Sequence, residues 1–259
     1  MARNEVQPLP PSAAVDIWLV SLSELTSDAR VFHERRLTRD ELARAQRYVA
    51  LHARDQFVAA RALLRTQLSR YTNTPISNWM FEANRFGRPY IAEPVDHRHI
   101  RFNLSHTNGL VACAISFERE IGVDIENVTR ELDVFSLAKS SFAPQETEAL
   151  ARLDPDLGRS RFFSYWTLKE SYIKARGMGL SLPLDAFWFE LGQTPRLYCD
   201  ARCQDSPARW QFFLERPTSE HQLALAVESA PHAIIETRFF WLTHYFAPCA
   251  APWHQPPST

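Results

Sequence analysis

The segment IGVDIENV, residues Ile121 to Val128, constrains the fold more than any other part of this 259-residue chain. Its alternating apolar residues predict a β-strand, in which residues two apart point to the same face. Asp124 and Glu126 therefore share one face with Gly122, and the isoleucine and valine side chains occupy the other. Two carboxylates this close raise each other's pKa, which costs free energy unless something compensates their charge.

The composition is that of a globular protein with a sizeable core. A net charge of −1 argues against bulk nucleic-acid binding. The sequence has no apolar run long enough to cross a membrane, and its first residues lack the apolar core of a signal peptide. The four cysteines have no usual metal-binding spacing and are expected to be free thiols. We therefore expect a cytoplasmic protein with no nucleic-acid and no membrane partner.

Glycine and lysine are both scarce, and their positions single out a few segments. The chain contains only seven glycines and three lysines. Five of the glycines fall in four short motifs, FGRP, SHTNG, IGVDIE and ARGMG, and two of the lysines, Lys169 and Lys174, lie in one segment. Glycine allows tight turns and the close approach of a ligand. These motifs are therefore candidates for a functional site.

Hydrophobic periodicity divides the chain into alternating helices and strands. Thr38 and Glu41 form a capping-box pattern at the start of a long helical segment, with a break expected near residues 51–54. Helices are predicted at residues 37–71, 134–140, 144–153 and 159–176. Strands are predicted at residues 15–22, within 101–117 on both sides of a turn, at 121–128, after 181–191, at 209–217 and at 222–229.

The domain organisation follows from these elements. Residues 1–14 are expected to form a flexible N-terminal arm and residues 246–259 a proline-rich tail. The segments RDQFVAARALLRTQL and RFFSYWTLKESYIKA are both amphipathic, which is a weak indication of a duplicated unit of one helix and a small sheet. We therefore divide the remainder into an N-terminal half, residues 15–118, and a C-terminal half, residues 119–245.

The paired carboxylates allow two interpretations. Asp124 and Glu126 could lie on a half-exposed edge strand with a solvated acidic face, or they could bind a divalent metal such as Mg²⁺, which prefers oxygen ligands. In the predicted helix, Trp166, Glu170 and Lys174 lie in one i, i+4 row. Glu170 could complete a metal triad with Lys174 beside a phosphate, or this row could be an ordinary surface Glu–Lys pair next to a core tryptophan.

Two further motifs carry polar side chains into turns. In FNLSHTNG, Ser105 and His106 are suited to phosphate or ribose contacts, although Asn, Ser and Thr also bond the local backbone in plain turns. Neighbours on a strand face opposite ways, so this pair does not form a protease triad. In FGRPY, Arg88 could bind a phosphate with two hydrogen bonds, or the motif could be a simple turn before a strand.

Taken together, FGRPYI, FNLSHTNG, IGVDIE and YWTLKESYIKARGMGLSLPLDAF resemble the motifs of the 4′-phosphopantetheinyl transferases, in particular the large single-chain, pseudo-dimeric type. The resemblance covers about residues 43–191, and the pairing of I-G-(V/I)-D-I-E with W-x-x-K-E-(S/A)-x-x-K is specific to the family. It implies an α+β fold of two similar halves, each a small antiparallel sheet packed with a long helix. It also implies transfer of 4′-phosphopantetheine from coenzyme A to a serine of an apo carrier protein, with Mg²⁺ required and adenosine 3′,5′-bisphosphate released.

The resemblance also implies roles for individual residues. The metal ligands would be Asp124, Glu126 and Glu170, and the catalytic residues would be Glu170, Lys174 and Asp124, with Glu170 or a water molecule as the base. The contacts to coenzyme A would come from Arg44, Gly87, Arg88, Pro89, Ser105, His106, Asp124, Lys169 and Lys174, with Arg61 a weaker candidate. Two positions depart from the family pattern, because Arg88 and Glu41 stand where relatives often have lysine.

Several questions stay open at this level. The carrier could be a fatty-acid, polyketide or nonribosomal-peptide carrier protein. We expect it to dock on an exposed part of the arginine-rich segment 30–70, where Arg35 and Arg36 are the residues to test, or on apolar residues around 135–142. The length of the chain implies a monomer, since short family members trimerise. Two other functions are compatible with the sequence: a Mg²⁺-dependent coenzyme A hydrolase, and a non-catalytic module that binds coenzyme A or a carrier protein.

Overall fold

Two β-sheets, each covered by a 22-residue helix, form the framework of the molecule. The computed structural model describes residues 13–23, 25–230 and 232–243. Two additional two-stranded hairpins flank the sheets. The predicted α+β class, with a small sheet and a long helix in each half, is therefore confirmed. The expected N-terminal arm and proline-rich tail lie almost entirely outside the described residues.

The helices and strands have the following bounds. The strands are β1 (Ala14–Ser21), β2 (Met80–Ala83), β3 (Pro89–Glu93), β4 (Ile100–Thr107), β5 (Leu110–Phe117), β6 (Ile121–Asn127), β7 (Phe187–Glu190), β8 (Arg196–Cys199), β9 (Trp210–Thr218), β10 (His221–Glu228) and β11 (Glu236–Leu242). The helices are α1 (Ser27–Glu34), α2 (Arg39–Ala45), α3 (Leu51–Thr72), α4 (Val134–Ser141), α5 (Pro144–Ala151) and α6 (Pro155–Arg176).

The first sheet has the strand order β11-β1-β5-β4 and packs against α3. β1 pairs antiparallel with β5 and parallel with β11, so this sheet is mixed rather than purely antiparallel. The strands β1 and β5 are buried almost throughout, which fits their near-continuous apolar sequences. A fully buried Asp16 in β1 is compensated by two hydrogen bonds from Arg238 of β11.

The second sheet has the order β6-β10-β9 and packs against α6. Asp154 caps the N-terminus of α6, Pro155 occupies its first turn, and Gly177 ends it in the left-handed conformation. The aromatic side chains of α6 fill the core beneath this sheet, with Phe162 and Tyr172 fully buried. A residue pair on β6 and α6 can therefore be held rigidly, because both elements are packed into the same core.

The two sheets meet edge to edge at β4 and β6 through side chains rather than through backbone pairing. Backbone N–H groups of β6 that point away from β10 would otherwise be buried without partners. Three alternate side chains of β4 each accept a hydrogen bond from one of them. The three contacts are Val123 N–H to Asn103 Oδ1 at 2.9 Å, Ile125 N–H to Ser105 Oγ at 3.2 Å, and Asn127 N–H to Thr107 Oγ1 at 3.0 Å. We call these contacts the edge ladder.

Most predicted elements are present, with four differences. The helical segment at residues 37–71 is interrupted at residues 46–50, slightly before the expected break, and it is preceded by α1, which was not predicted. The helix α6 begins at Pro155 rather than at residue 159, because Asp154 and Pro155 form its start. The strands β2 and β11 were not predicted either, and where one strand was expected after residues 181–191, the hairpin of β7 and β8 begins at Phe187. The boundary between the two halves at residues 118 and 119 stays a prediction. Strand β11, which belongs to the predicted C-terminal half, pairs with β1 in the first sheet.

Within the described ranges, the helices are all too short or too polar to cross a lipid bilayer.

Candidate active site

The site begins with an unusually close approach of β6 to α6 at Gly122. A Cβ atom on Gly122 would lie 2.0 Å from the carbonyl oxygen of Ser171 and 2.4 Å from the backbone nitrogen of Ala175. Real Cβ atoms do not approach other atoms this closely, so only glycine fits here. Gly122, Asp124 and Glu126 thus face α6, while the alternate side chains of β6 pack into the core between the sheets. This is the face assignment that the sequence predicted.

Asp124 and Lys174 form the centre of the site. The Lys174 ammonium lies 2.7 Å from Asp124 Oδ1 and also donates to Ser105 Oγ at 3.0 Å and to the carbonyl oxygen of Val123 at 3.2 Å. All three protons of the ammonium therefore have acceptors. The i, i+4 row of the helix thus faces the paired carboxylates of the strand. Since Asp124 is almost fully buried, the ion pair is not an ordinary surface pair.

The second carboxylate oxygen of Asp124, Oδ2, is buried and has no hydrogen-bond partner among the described residues. A buried carboxylate oxygen without a partner costs about 1–3 kcal/mol or more. Native proteins leave such a group unsatisfied mainly where an ion or a ligand completes it. The orphaned oxygen therefore marks a position for a cation.

Glu126 lies on the same face, one pleat further along β6. Burial, followed by the negative charge of Asp124, raises the pKa of Glu126 to about 7. The indole N–H of Trp166 donates to its Oε1 at 3.1 Å, and Arg130 lies 3.3 Å from Oε2. Without a further cation, this carboxyl group is therefore partly protonated at neutral pH.

Glu170 contributes a third carboxyl group from α6. It is half-buried, and burial together with the charge of Asp124 raises its pKa, while Lys174 opposes this shift. The negative charge of Asp124 therefore acts on both glutamates, Glu126 on the strand and Glu170 on the helix. Perturbed carboxyl groups converging on one lysine are typical of functional sites.

A cleft of about 260 Å³ opens beside these groups. Glu170 and Lys174 form one wall, and the turn with Gly87, Arg88 and Pro89 forms another, opposite Gly179. Gly87 has φ of +89°, and the space where its Cβ would stand is empty. The glycines of FGRP and ARGMG therefore allow the backbone to turn tightly at the rim, as expected from their scarcity elsewhere.

Arg88 lies at this rim, but its guanidinium is held by the protein. It donates to the carbonyl oxygen of Ala175 at 2.7 Å and to that of Ile121 at 3.3 Å, and it pairs with Glu120 at 2.5 Å. The arginine therefore ties the FGRP turn to the end of α6 and the start of β6. A ligand phosphate would have to compete with the Glu120 carboxylate for the Arg88 guanidinium.

Ser105 and His106 are brought to the site, on opposite faces of β4 as the strand geometry requires. The Ser105 hydroxyl contacts Asp124 and Lys174 and is nearly buried. His106 is exposed towards solvent. Although part of His106 is exposed, neighbouring groups shield its ring from water, and this shielding, followed by the positive charge of Lys174, lowers the pKa of His106.

Arg44 and Arg61 do not line this cleft. Arg44 is exposed, with its guanidinium 5.1 Å from the ring centre of Phe57. Arg61 pairs with Glu41 at 2.7 Å, and Glu41 also pairs with the buried Arg65 at 2.9 Å. The acidic residue that departs from the family pattern is thus neutralised by two arginines.

Lys169 is not brought to the site, which corrects the expectation that it assists there. Its side chain is 1% exposed and forms an ion pair of 2.7 Å with the fully buried Glu146. Its ammonium also donates to the carbonyl oxygens of Leu184 and Phe187. Because Lys169 is one position round the helix from Glu170, it points into the core beneath α6. We therefore assign it a structural role.

Sequence reasoning missed Glu146 and the edge ladder. No pattern connects Glu146 with Lys169, because they lie on different helices and meet only after folding. The ladder did leave a signal, since Asn103, Ser105 and Thr107 alternate along one strand. Three uncharged polar residues that alternate on one face of a strand indicate a face that contacts polar groups.

The residues present fit a divalent cation by their chemistry. In the described part of the chain, no three His, Cys, Asp or Glu side chains already converge closely enough to hold a metal ion. The donor set is nevertheless all oxygen, and it includes an Asp124 oxygen without a hydrogen-bond partner. Burial and, after it, the negative charge of Asp124 raise the pKa values of Glu126 and Glu170, and a bound cation would oppose both effects.

Family models match both halves of the chain. Residues 120–227 match the 4′-phosphopantetheinyl transferase superfamily, and residues 26–118 match the 4′-phosphopantetheinyl transferase N-terminal family. The chain is 33% identical over 232 residues to the 4′-phosphopantetheinyl transferase HetI of Nostoc sp., covering 88% of this chain and 95% of that protein. It is 34% identical over 145 residues to the transferase Sfp of Bacillus subtilis, covering 56% of this chain and 62% of Sfp.

Solved structures give weaker similarities. The holo-(acyl-carrier-protein) synthase of Bacillus anthracis, in complex with CoA (3′,5′-ADP), matches with a TM-score of 0.34 and 17% identity. That match covers 43% of this chain and 96% of the synthase. The corresponding synthase of Thermotoga maritima has a TM-score of 0.36 and 19% identity, covering 43% of this chain and 63% of that protein.

Proposed function

The chain belongs to the 4′-phosphopantetheinyl transferase superfamily and is an enzyme of this class, and from this premise we propose its substrates, metal and catalytic groups. It transfers 4′-phosphopantetheine from coenzyme A to a serine hydroxyl of an apo carrier protein, depends on Mg²⁺ and releases adenosine 3′,5′-bisphosphate. The observation that carries this proposal is the Asp124–Lys174 pair with its orphaned carboxylate oxygen beside a cleft.

The metal would be held by Asp124, Glu126 and Glu170. Mg²⁺ takes a few carboxylate oxygens and leaves its other positions to water and substrate phosphates. When bound, it would neutralise charge on the pyrophosphate of coenzyme A. The orphaned Asp124 Oδ2 and the raised pKa of Glu126 support this ligand set.

The chemical step is a displacement at phosphorus. The acceptor serine oxygen forms a bond to the phosphorus that carries pantetheine. The bond from that phosphorus to the bridging oxygen breaks, and adenosine 3′,5′-bisphosphate leaves with the electron pair. The serine proton passes to a base, for which we propose Glu170, because its carboxyl group lines the cleft beside Lys174.

Lys174 stabilises the charge that develops during this displacement. A phosphoryl oxygen would replace the carbonyl oxygen of Val123, the most distant of the three acceptors that its ammonium now contacts. A cation held in place before the reaction needs little reorganisation, which is the main source of electrostatic catalysis. The rigid packing of α6 against β6 supplies this preorganisation.

The nucleotide end of coenzyme A is proposed to lie along the rim formed by Gly87, Arg88 and Pro89, with His106 nearby. Arg88 already bridges three segments of the rim, so its partial release from Glu120 would allow contact with a phosphate. The proposed contact with Arg44 requires the nucleotide to reach beyond the cleft. The protein is proposed to act as a monomer, since one chain supplies both sheets.

The experiment that tests the proposal measures carrier-dependent release of adenosine 3′,5′-bisphosphate. Purified protein, coenzyme A and Mg²⁺ are incubated with and without an apo carrier, and the nucleotide product is quantified by chromatography. Release only with the carrier supports the transferase. Release of phosphopantetheine without a carrier supports a hydrolase, and binding of coenzyme A without any product supports a binding module.

The base assignment has its own test, which is the Glu170→Gln variant. The amide cannot accept the serine proton, so turnover should fall by about 100-fold or more, the typical contribution of a general base. Full turnover of this variant with Mg²⁺ still bound would show that a water molecule or another group takes the proton.

A further inference from the structure

The Ser105 hydroxyl has no hydrogen-bonding capacity left for a substrate. It lies 3.0 Å from Asp124 Oδ1, 3.2 Å from the backbone nitrogen of Ile125 and 3.0 Å from Lys174 Nζ. The N–H and the ammonium can only donate, and the carboxylate can only accept. A serine hydroxyl offers one proton and two lone pairs. The proton therefore goes to Asp124, and both lone pairs are occupied.

This saturation conflicts with direct contact between Ser105 and a phosphate of coenzyme A. A phosphate dianion accepts hydrogen bonds and donates none, so it would need the proton that Asp124 holds. The Ser105 side chain is also only 5% exposed. The role that the family resemblance implies for Ser105 is therefore difficult to reconcile with its contacts.

We infer that Ser105 is a positioning residue that orients Asp124 and Lys174 for the proposed reaction. Its hydroxyl engages Oδ1 of the Asp124 carboxylate, so that Oδ2 is the oxygen left for the divalent cation. The same hydroxyl fixes the Lys174 ammonium beside that carboxylate. The inference rests on the proposed function only in naming the cation and coenzyme A as the ligands.

The edge ladder separates this role from a purely structural one. Asn103 and Ser105 each satisfy a buried N–H of β6, so loss of either side chain leaves one N–H unpaired. Only Ser105 of these two also bonds to the Asp124 carboxylate and the Lys174 ammonium. A variant at Asn103 therefore reproduces the structural loss without the loss of orientation.

The test compares Ser105→Ala with Asn103→Ala in two binding measurements on the full chain. The affinity for Mn²⁺ is measured by electron paramagnetic resonance with coenzyme A at saturation, and the affinity for coenzyme A is measured by calorimetry in EDTA. Loss of a group that orients a metal ligand typically weakens metal binding by about 10–100-fold. We expect a loss of about 10-fold for Mn²⁺ in Ser105→Ala and less than twofold in Asn103→Ala.

Coenzyme A affinity in EDTA should change less than twofold in Ser105→Ala. A loss of about 10-fold or more in this measurement, with Mn²⁺ affinity unchanged, would identify Ser105 as a coenzyme ligand and overturn the inference. Equal losses of Mn²⁺ affinity in both variants would also overturn it, since the effect would then be structural.

A second variant covers the case in which Ser105→Ala does not fold. Ser105→Cys fills similar space and keeps only a weak donor, so it should also weaken Mn²⁺ binding and leave coenzyme A binding intact. The proposed function is tested separately by carrier modification with the unaltered protein. If that reaction failed, the measured affinities for Mn²⁺ and coenzyme A would be unaffected. The inference about Ser105 would then still hold.

Discussion

Gly122 lies so close to Ser171 that a single methyl group would separate strand β6 from helix α6. A Cβ at this position would stand 2.0 Å from the Ser171 carbonyl oxygen. The neighbouring obstacle is also backbone, at Ala175, so no side chain can rotate away. The distance between Asp124 on the strand and Lys174 on the helix therefore depends on the absence of a side chain at residue 122.

The first prediction concerns Gly122→Ala. Overpacking of a rigid core costs typically about 1–3 kcal/mol, and here the helix must also move away from the carboxylates. We expect a loss of transferase activity larger than the loss of stability explains, measured by carrier modification below the unfolding temperature. Gly192→Ala is the control, because its nearest neighbour would be 4.0 Å from the new Cβ. Normal activity in Gly122→Ala would contradict the role of this close approach.

The second prediction concerns the buried pair of Lys169 and Glu146. Removing one partner of a buried pair leaves an uncompensated charge and costs about 3–5 kcal/mol. Lys169→Met should therefore lower the free energy of unfolding strongly, and Lys169→Met with Glu146→Leu should recover much of it. Chemical denaturation measures both.

The control for this pair is Lys139→Met, because Lys139 is exposed on α4 and should tolerate the change. The double variant should also keep the coenzyme A affinity of the original protein. A loss of coenzyme A affinity of about 10-fold in the stable double variant would show that Lys169 reaches the ligand after all.

The third prediction concerns pH and Glu126. Its pKa is raised to about 7 in the folded, metal-free protein, so folding favours the protonated form. Its contribution to stability is therefore complete below the ordinary pKa of 4.5 and is lost as pH rises through 7. A shift of this size corresponds to about 3 kcal/mol, as an order of magnitude.

The Glu126→Gln variant cannot lose this proton and provides the comparison. In EDTA, the stability of the original protein relative to Glu126→Gln should fall between pH 5 and pH 8, as measured by denaturant unfolding. Adding Mg²⁺ should reduce this fall, because the cation favours the ionised carboxylate. Parallel pH profiles of the two proteins in EDTA would contradict the assignment.

The fourth prediction concerns docking of the carrier protein. Arg35 is exposed beside a basic pocket of about 510 Å³ that Arg36 and Arg65 also line. Charge reversal in Arg35→Glu and Arg36→Glu should raise the KM for an acidic carrier several-fold and leave coenzyme A affinity unchanged, because surface charge acts mainly on association. Arg196→Glu is the matched control, because Arg196 of β8 is also exposed. Equal losses of carrier and coenzyme A affinity would count against this surface.

The sequence predicts the central part of the site well for a simple physical reason. The faces of β6 follow from strand periodicity, and the row of Glu170 and Lys174 follows from helix periodicity. The scarcity of glycine marks the turns that form the rim. The class of fold is what the resemblance to the transferase family implies, and the alternation of strands with long amphipathic helices agrees with it.

Contacts between distant segments were not predictable in this way. Lys169 has the same local pattern as Lys174, and only the packing of α5 beneath α6 sends it to Glu146. Strand β11 pairs with β1 across more than 200 residues, which no local pattern indicates. The saturation of Ser105 depends equally on three segments that meet only in the folded chain.

The most direct test of the account is intact-protein mass spectrometry of an apo carrier protein incubated with this enzyme, coenzyme A and Mg²⁺. The account predicts a mass gain of one 4′-phosphopantetheine arm on the carrier, which is abolished by EDTA and by Asp124→Ala. Fatty-acid, polyketide and peptide carriers should all be tried. Absence of any gain on all three, from folded protein that binds coenzyme A, would contradict it.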